Sequence, residues 1–348
     1  MNSVTVIHMT PSYETAVHAL AAVAPGADLT PYEYRPGQLA PLEVEIAVSH
    51  CGVCATDLRV IDAARPDGTP AVAGHEVAGV VTAVGSLVDT DRVRVGQRVV
   101  AGGVSGTCMA CEFCLSGRTH LCPRRESMAH RGDRGGFASS VRVSDWRFVY
   151  PLPDAVDLAH AGPFLCAGAT VFAPFLRHGI TASHHVAVAG IGGLGHLAIQ
   201  FARAWGCEVT AISSSADKAD QARQLGAHHF VESREIATAA DTFDVVLSTA
   251  SGDLPWDDYI AALRPQGVLV LVGAPERAMQ IDGNALLHQE KRISGGVAAA
   301  REEVVAMLDF AARTGVRPII ETFPASDINE AIARVRSNAV RFRAVVAM

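Results

Sequence analysis

The stretch HHVAVAGIGGLGHLAIQFARAWG, residues 184–206, decides the fold class of this chain. A short apolar run leads into a glycine-rich segment, and a helical pattern of apolar residues follows at once. G-x-G-x-x-G between a strand and a helix is typical of a dinucleotide-binding turn, because glycines permit a tight turn and the helix N-terminus offers free N–H groups to a pyrophosphate. The alternative is an ordinary tight turn. The predicted cofactor-binding residues here are Gly190, Gly192, Gly193, Leu194 and Gly195.

Two different patterns of apolar residues are found along the rest of the chain. Apolar strands such as CEVTAIS, FDVVLSTA and GVLVLVG alternate with helical segments between about residues 185 and 296, which predicts a doubly wound parallel sheet. Short valine-rich runs separated by glycine and proline fill about residues 35–150 and predict an antiparallel β region. Helix, strand, helix and strand patterns after Gly296 predict a return to that region. The predicted fold class is α/β, with a β-rich domain and a doubly wound domain.

Bulk composition excludes several classes of protein. At 348 residues the chain is long enough for two domains, and its net charge of −7 argues against a nucleic-acid surface. The longest weakly polar run, residues 161–176, is too short to cross a bilayer, and the first basic residue is Arg35, so no signal peptide is predicted. We therefore expect a cytoplasmic protein that binds neither nucleic acid nor membrane.

The end of the second strand predicts which dinucleotide binds. An NAD site usually has an acidic residue there, about 20 residues after the glycines, to bind the ribose hydroxyls. This chain instead ends the strand with three serines and has Lys218 just beyond, so hydroxyls and a cation can bind a 2′-phosphate. Asp217, next to the lysine, is interpreted as a helix-start residue. We expect NADP(H); the alternative is an NAD site of relaxed specificity. The predicted residues are Ser213, Ser214, Ser215 and Lys218.

Four cysteines lie within CMACEFCLSGRTHLC, residues 108–122. In a reducing cytosol such clusters bind metal more often than they form disulfides, and four thiolates close a tetrahedral shell around a structural zinc. An iron–sulfur cluster is the competing interpretation, because Pro123 follows the last cysteine as in a ferredoxin run. The last gap of seven residues departs from that run, and His120 offers a substitute ligand. The predicted ligands are Cys108, Cys111, Cys114 and Cys122.

A second set of candidate ligands is spread along the chain. Cys54 stands in CGVCATDL, His75 and Glu76 stand in GHEVAGVV, and Cys166 stands in PFLCAGATVF. Two cysteines and a histidine are one attested set for a catalytic zinc, which keeps a position open for water or substrate. Each element alone is weak evidence, since an isolated cysteine in an apolar run is usually a packing residue.

Taken in series, these motifs resemble the zinc-dependent medium-chain alcohol dehydrogenases, and ISSSADK and LCAGAT resemble the cinnamyl-alcohol-dehydrogenase-like branch. GGFASSVRV and the closing INEAIARVRSNAVRFRAVV extend the match over nearly the whole chain. The resemblance implies a GroES-like catalytic domain at residues 1–165 and 297–348, with a structural-zinc lobe at 105–125. It implies a Rossmann NADP-binding domain at 166–296.

The resemblance also implies the roles of individual residues. Two zinc ions per chain are expected, one held by the four clustered cysteines and one by Cys54, His75 and Cys166, with Glu76 near the metal. Asp57 would orient His75, and Thr56 would relay the substrate proton. Thr170 and Arg341 would join the cofactor-binding residues, the arginine compensating for Ala55, where many relatives carry a basic residue.

The implied reaction is hydride transfer between NADP(H) and a small aldehyde or alcohol, in a homodimeric enzyme. Arg59 occupies the place of a histidine that commonly ends the proton relay, and an arginine stays protonated. That departure leaves open a conjugate reductase of an unsaturated carbonyl or iminium. A non-catalytic zinc-binding module is the alternative from another class.

Overall fold

The computed structural model describes residues 16–63, 65, 68–128, 134–296 and 298–348. The predicted start of the first domain at residue 1 and the predicted boundary at residue 297 lie outside the described residues.

The strands are short and mostly apolar, and β3, β4 and β14 are the longest of those described. They are β1 (Val17–Ala22), β2 (Leu29–Tyr34), β3 (Val44–Val53), β4 (Glu76–Val84), β5 (Arg98–Gly102), β6 (Val104–Gly106), β7 (Glu126–Ser127), β8 (Ser140–Val143), β9 (Val149–Pro151), β10 (His185–Ala189), β11 (Glu208–Ser213), β12 (His229–Glu232), β13 (Phe243–Ser248), β14 (Leu263–Leu271), β15 (Arg292–Gly295), β16 (Ile320–Pro324) and β17 (Arg343–Ala347).

The α-helices lie mainly in the second half of the chain. They are α1 (Ala55–Asp62), α2 (Glu112–Leu115), α3 (Leu158–Ala161), α4 (Ala167–Arg177), α5 (Gly195–Trp205), α6 (Ala219–Leu225), α7 (Trp256–Ala261), α8 (Asn284–Leu287), α9 (Arg301–Thr314) and α10 (Ile328–Arg336).

A parallel sheet carries the strand order β12-β11-β10-β13-β14-β15. The chain builds outward from β10 through β11 and β12, then crosses back to β13 on the other side. Ligands bind at such a switch point, beyond the carboxyl ends of the strands. The glycine-rich turn follows β10, so it lies at this switch point.

Helices cover both faces of the parallel sheet. Side chains alternate along β10, so Val186 and Val188 join the apolar cluster that includes helices α4, α5 and α9, whereas Ala187 and Ala189 face the cluster of α7. Phe172 and Phe201 anchor the first cluster with rings 5.2 Å apart. Burial on both faces explains why the sequence of this strand is apolar throughout.

A second, mixed sheet has the order β16-β17-β3-β4-β5-β9, with β8 pairing with β3. The last strand, β17, runs antiparallel to β3 and places Ala344 opposite Val53. The end of the chain therefore lies beside the strand that leads into Cys54. A mixed β-rich sheet together with a doubly wound parallel sheet confirms the predicted α/β fold class.

Candidate active site

The glycine-rich turn needs glycine at its two ends. Gly190 has φ of +94°, which favours glycine, and a Cβ on Gly195 would lie 1.9 Å from the Gly190 carbonyl oxygen. Helix α5 can therefore begin directly against the end of β10. Its N-terminal N–H groups lie at the mouth of the switch point.

A cleft of about 680 Å³ lies in front of this turn, between the two sheets. Cys54 lines the same cleft, so one member of the second set of candidate ligands borders it. Eight of the predicted cofactor-binding residues also line it: Gly190, Gly192, Gly193, Leu194, Ser213, Ser214, Lys218 and Arg341.

Three other predicted cofactor residues lie outside the lining of the cleft. Gly195 packs against the turn itself, and Thr170 is buried on α4. The Ser215 hydroxyl donates to the carboxylate of Asp217, a residue that does line the cleft. Their predicted roles as cofactor contacts stay predictions.

The structure brings Cys54, His75, Glu76 and Cys166 together, and we call this group the Cys54 cluster. Their donor atoms all lie within 4.8 Å of one another. Cys54 lies between β3 and α1, His75 immediately precedes β4, Glu76 is the first residue of β4, and Cys166 precedes α4. Three sequence-distant segments therefore meet because β3 and β4 pair and the start of α4 packs beneath them.

The geometry of the Cys54 cluster fits zinc. The two thiol sulfurs lie 3.7 Å apart. Two thiolates on one tetrahedral zinc, each at about 2.3 Å, would be about 3.8 Å apart. The Glu76 Oε2 atom is buried without a hydrogen-bond partner among the described residues, which suits a position beside a cation.

Asp57 holds the histidine of the cluster in place. Its Oδ1 atom lies 2.8 Å from His75 Nδ1 and also accepts the Gly74 N–H, while Oδ2 accepts the Cys54 N–H. Burial opposes a charged imidazole, but the Asp57 carboxylate overcomes it and raises the pKa of His75 well above its usual range. Carboxylate–histidine pairs of this kind orient metal-binding imidazoles.

The two thiols of the cluster have opposite pKa shifts. The Cys166 thiol donates to Cys54 and, with the nearby Arg343 charge, holds the pKa of Cys54 well below its usual range despite burial. The same hydrogen bond, together with burial, raises the pKa of Cys166. The lowered pKa favours the thiolate form of Cys54, and thiolates are the metal-binding form of cysteine.

Arg343 is a site residue that the sequence interpretation missed. Its guanidinium forms a buried ion pair with Glu76, and it lines the cofactor cleft. Burial raises the pKa of Glu76 to about 7, even though the positive charge of Arg343 opposes this shift. The available signal was an arginine preceding three buried apolar residues in the last strand, since such a charge needs a partner.

The predicted relay residues occupy different surroundings. Thr56 Oγ1 lies 3.9 Å from Cys54 Sγ, at the first turn of α1. Arg59 is exposed on the same helix and lies outside the cleft lining. The departure at position 59 therefore changes a surface position of α1 rather than a wall of the cleft.

The four clustered cysteines form a second compact group. The Cys108–Cys114, Cys111–Cys114 and Cys108–Cys122 sulfur pairs lie 3.9, 3.5 and 3.5 Å apart. These spacings suit a single tetrahedral ion, at about 3.8 Å between sulfurs, and leave no room for a cluster of several irons. Backbone N–H bonds from Ala110 and Cys111, with the Cys122 thiol, lower the pKa of Cys108 to about 5.

No single described helix is long and apolar enough to cross a membrane. A bent pair, Leu158–Leu165 and Ala167–Arg177, reaches the required length and apolarity only when taken together.

Comparison with known proteins completes this picture. The alcohol dehydrogenase GroES-like domain family matches residues 40–154, and the zinc-binding dehydrogenase family matches residues 193–313. An aldehyde reductase, AdhA, from Synechocystis sp. is 43% identical over 95% of this chain and 98% of its own length. The chain belongs to the zinc-binding alcohol dehydrogenases.

Relatives within this family point to one branch. A probable cinnamyl alcohol dehydrogenase of Oryza sativa is 38% identical over 94% of this chain and 92% of its own. The solved cinnamyl alcohol dehydrogenase of Sorghum bicolor superposes with a TM-score of 0.88, at 36% identity, over 96% of this chain and 98% of its own. That of Helicobacter pylori, complexed with NADP(H), gives 0.85 at 25% identity over the same shares. The predicted resemblance, including its branch, is confirmed, so the chain is a zinc-type alcohol–aldehyde oxidoreductase that uses a nicotinamide cofactor.

Proposed function

We propose that this protein is an NADP(H)-dependent reductase of aromatic or medium-chain aldehydes that also oxidises the corresponding primary alcohols. One observation carries the proposal: Cys54, a member of the Cys54 cluster, lines the cleft that the glycine-rich turn also lines. A carbonyl substrate held at the cluster would therefore lie beside the cleft in which the nicotinamide cofactor would bind. Aldehydes are proposed as substrates because the relatives named above are aldehyde and cinnamyl alcohol oxidoreductases.

The residues of the cluster have separate tasks in this proposal. Cys54, His75 and Cys166 hold zinc, and Asp57 fixes the orientation of His75. When bound, zinc polarises the carbonyl oxygen and the nicotinamide supplies or accepts the hydride. The Thr56 hydroxyl passes the substrate proton from the cleft toward solvent.

Glu76 and Arg343 regulate the charge beside the cluster. The arginine neutralises a carboxylate that would otherwise stand unpaired in a buried position. Gly193 lies against the same guanidinium, since a Cβ there would be 2.8 Å from Arg343 Nη1. Arg343 thus lies between the glycine-rich turn and the cluster, where it would face a cofactor pyrophosphate bound at the turn.

NADP(H) is proposed as the cofactor because of the residues at the carboxyl end of β11, the second strand of the parallel sheet in chain order. Ser213, Ser214 and Lys218 line the cleft, and Asp217, the one acidic residue in its lining among the described residues, accepts a hydrogen bond from a serine hydroxyl. A lysine and serine hydroxyls favour a 2′-phosphate over a bare ribose. The relative crystallised with NADP(H) supports the same choice.

A homodimer in the cytoplasm is proposed as the working form. Strand β15 ends the parallel sheet without a neighbour among the described strands, so a second copy can pair with it. Size-exclusion chromatography with light scattering would test this; a monomer at micromolar concentration contradicts it. The clustered thiols suit a reducing compartment.

Product analysis tests the proposed reaction. With cinnamaldehyde and NADPH we expect cinnamyl alcohol as the main product. Saturated aldehyde as the main product would favour the conjugate reductase. If the protein does not bind NADPH in a fluorescence titration, the hypothesis of a non-catalytic zinc-binding module is favoured instead.

Metal analysis tests the two zinc sites separately. We expect about two zinc ions per chain, one per donor set. Cys166→Ser should lose one zinc and all turnover while keeping its melting temperature near that of the wild type. Cys111→Ser should lose the other zinc, and its main effect should be a lower melting temperature. Bound iron, or equal activity in both variants, contradicts the assignment.

A further inference from the structure

Two side chains in the lining of the cofactor cleft contact each other, one from beside the mixed sheet and one from beside the parallel sheet. Arg341 belongs to the segment that leads into β17, and Gln221 belongs to α6 beside the parallel sheet. With the Gln221 amide turned so that its oxygen faces the guanidinium, Arg341 Nε and Nη2 each lie 2.6 Å from that oxygen. Both residues line the cleft.

The neutral amide oxygen of Gln221 is a weaker hydrogen-bond acceptor for the Arg341 guanidinium than a charged oxygen would be. Two N–H groups of Arg341 share one neutral oxygen, and no carboxylate among the described residues lies within ion-pair distance of its guanidinium. Phosphate oxygens match the fork of an arginine and bind it with charge-assisted hydrogen bonds. A dianionic phosphate nearby would therefore displace Gln221 as the partner.

The start of α6 places such a phosphate within reach. Lys218 immediately precedes α6 and Gln221 lies in its first turn, and both residues line the cleft. Holding Arg341 at Gln221 therefore keeps its guanidinium beside Lys218 and the serines at the end of β11. Two cations then flank one end of the cleft, and Asp217 is the acidic residue in its lining.

The backbone of Arg341 is anchored independently of its side chain. The Arg341 N–H donates to Glu321 Oε1 at 2.6 Å, and Glu321 Oε2 pairs with Arg334 at 2.6 Å. The guanidinium can change partners while its Cα remains in place. An exposed arginine side chain of this length can make that exchange by rotamer changes alone.

We propose that Arg341 is a specificity-determining residue that leaves Gln221 to bind the 2′-phosphate of NADP(H), alongside Lys218. This inference rests on the proposed cofactor. The sequence interpretation expected Arg341 to compensate for Ala55 near the pyrophosphate; in the structure Arg343, beside Gly193, is the cation nearest the glycine-rich turn. Because Arg341 lies just before β17 of the mixed sheet, the phosphate would add a link between the two sheets at this end of the cleft, whereas with NADH the Arg341 side chain would keep Gln221 as its partner.

Binding measurements on Arg341→Gln test the proposal. We expect its Kd for NADPH to rise at least about tenfold, the loss of a charge-assisted pair, while its Kd for NADH changes less than about twofold. Gln221→Glu should also weaken NADPH binding, because the new carboxylate retains Arg341. Arg336→Gln is the matched control: it removes one positive charge from α10, outside the cleft lining, and should change neither Kd.

The adenosine fragments 2′,5′-ADP and 5′-AMP separate failure of the inference from failure of the proposed cofactor. If the wild type does not distinguish them, the proposed NADP(H) preference is wrong and the inference falls with it. If the wild type prefers 2′,5′-ADP and Arg341→Gln keeps that preference in full, only the inference is overturned. An equal loss of affinity for NADPH and NADH in Arg341→Gln would also overturn it, since that points to a pyrophosphate contact.

Discussion

His196 allows a quantitative test of how the two sheets are joined. It lies in the first turn of α5, is fully buried, and stacks parallel to Phe342 with ring centres 4.7 Å apart. Its Nδ1–H faces the Gly192 carbonyl at 3.2 Å, and its Nε2 accepts the Ile319 N–H at 3.2 Å. The neutral ring satisfies both neighbours, whereas a protonated ring would oppose one N–H with another.

The expected effect of acid follows from this arrangement. Burial, reinforced by the positive charge of Arg343, lowers the pKa of His196 from 6.5 to about 3. Below pH 6.5 His196 is protonated in the unfolded chain but stays neutral in the folded chain. The free energy of unfolding therefore falls as the pH decreases from 6.5 toward 3, and this group does not change it above pH 6.5. Between pH 7 and pH 5 this amounts to about 2 kcal/mol, at 1.36 kcal/mol per pH unit.

Urea unfolding of the wild type and His196→Gln at pH 7 and pH 5 measures this effect. The variant should lose about 2 kcal/mol less than the wild type between the two pH values, because all other titrating groups are shared. His18→Gln removes an exposed histidine and should behave as the wild type does. Equal losses in the wild type and His196→Gln would refute the argument that the buried neutral ring joins the sheets.

Two further predictions concern the cofactor cleft. Lys218→Ala combined with Ser214→Asp should shift the preference toward NADH, as measured by kcat/KM for each cofactor, because an added carboxylate repels a 2′-phosphate and binds ribose hydroxyls; an unchanged ratio would mean that these residues do not contact the phosphate. Gly195→Ala should lower the melting temperature by several degrees, since its Cβ would collide with backbone, whereas Gly192→Ala, with open space at its Cβ, should not. Similar melting temperatures for both would contradict the geometry of the turn.

Local sequence patterns were sufficient for much of the fold. The apolar run of β10, the glycines after it and the helix that follows predict a strand–turn–helix unit, because each depends on residues close in sequence. The same holds for the four cysteines at 108–122, whose spacing brings them together within one loop.

Ligands that are distant in sequence could be proposed only from the family resemblance. Cys54 and Cys166 are 112 residues apart, and only the pairing of β3 with β4 and the packing of the following helix bring their sulfurs to 3.7 Å. Nothing local in either segment indicates that contact. The structure shows the proximity that the resemblance implied, while the metal-binding role itself is proposed.

The residues that the sequence did not predict have partners that are distant along the chain. Arg343, Gln221 and His196 occupy ordinary positions in a strand or helix, and their partners are 267, 120 and 123 residues away. Short-range patterns report propensity and periodicity. The contact of Arg343 with Glu76 depends instead on strand pairing within the mixed sheet, and those of Gln221 and His196 depend on how the two sheets dock.

The sequence by itself determined the two kinds of sheet, the dinucleotide turn and the cysteine lobe. It did so because strand alternation, glycine conformation and ligand spacing act over a few residues. The tertiary structure alone decided that Cys54 borders the cofactor cleft, that Arg343 neutralises Glu76, and that Arg341 reaches Gln221 in the cleft lining. These features depend on β17 returning beside β3, a non-local pairing whose consequences for individual side chains no short window of sequence contains.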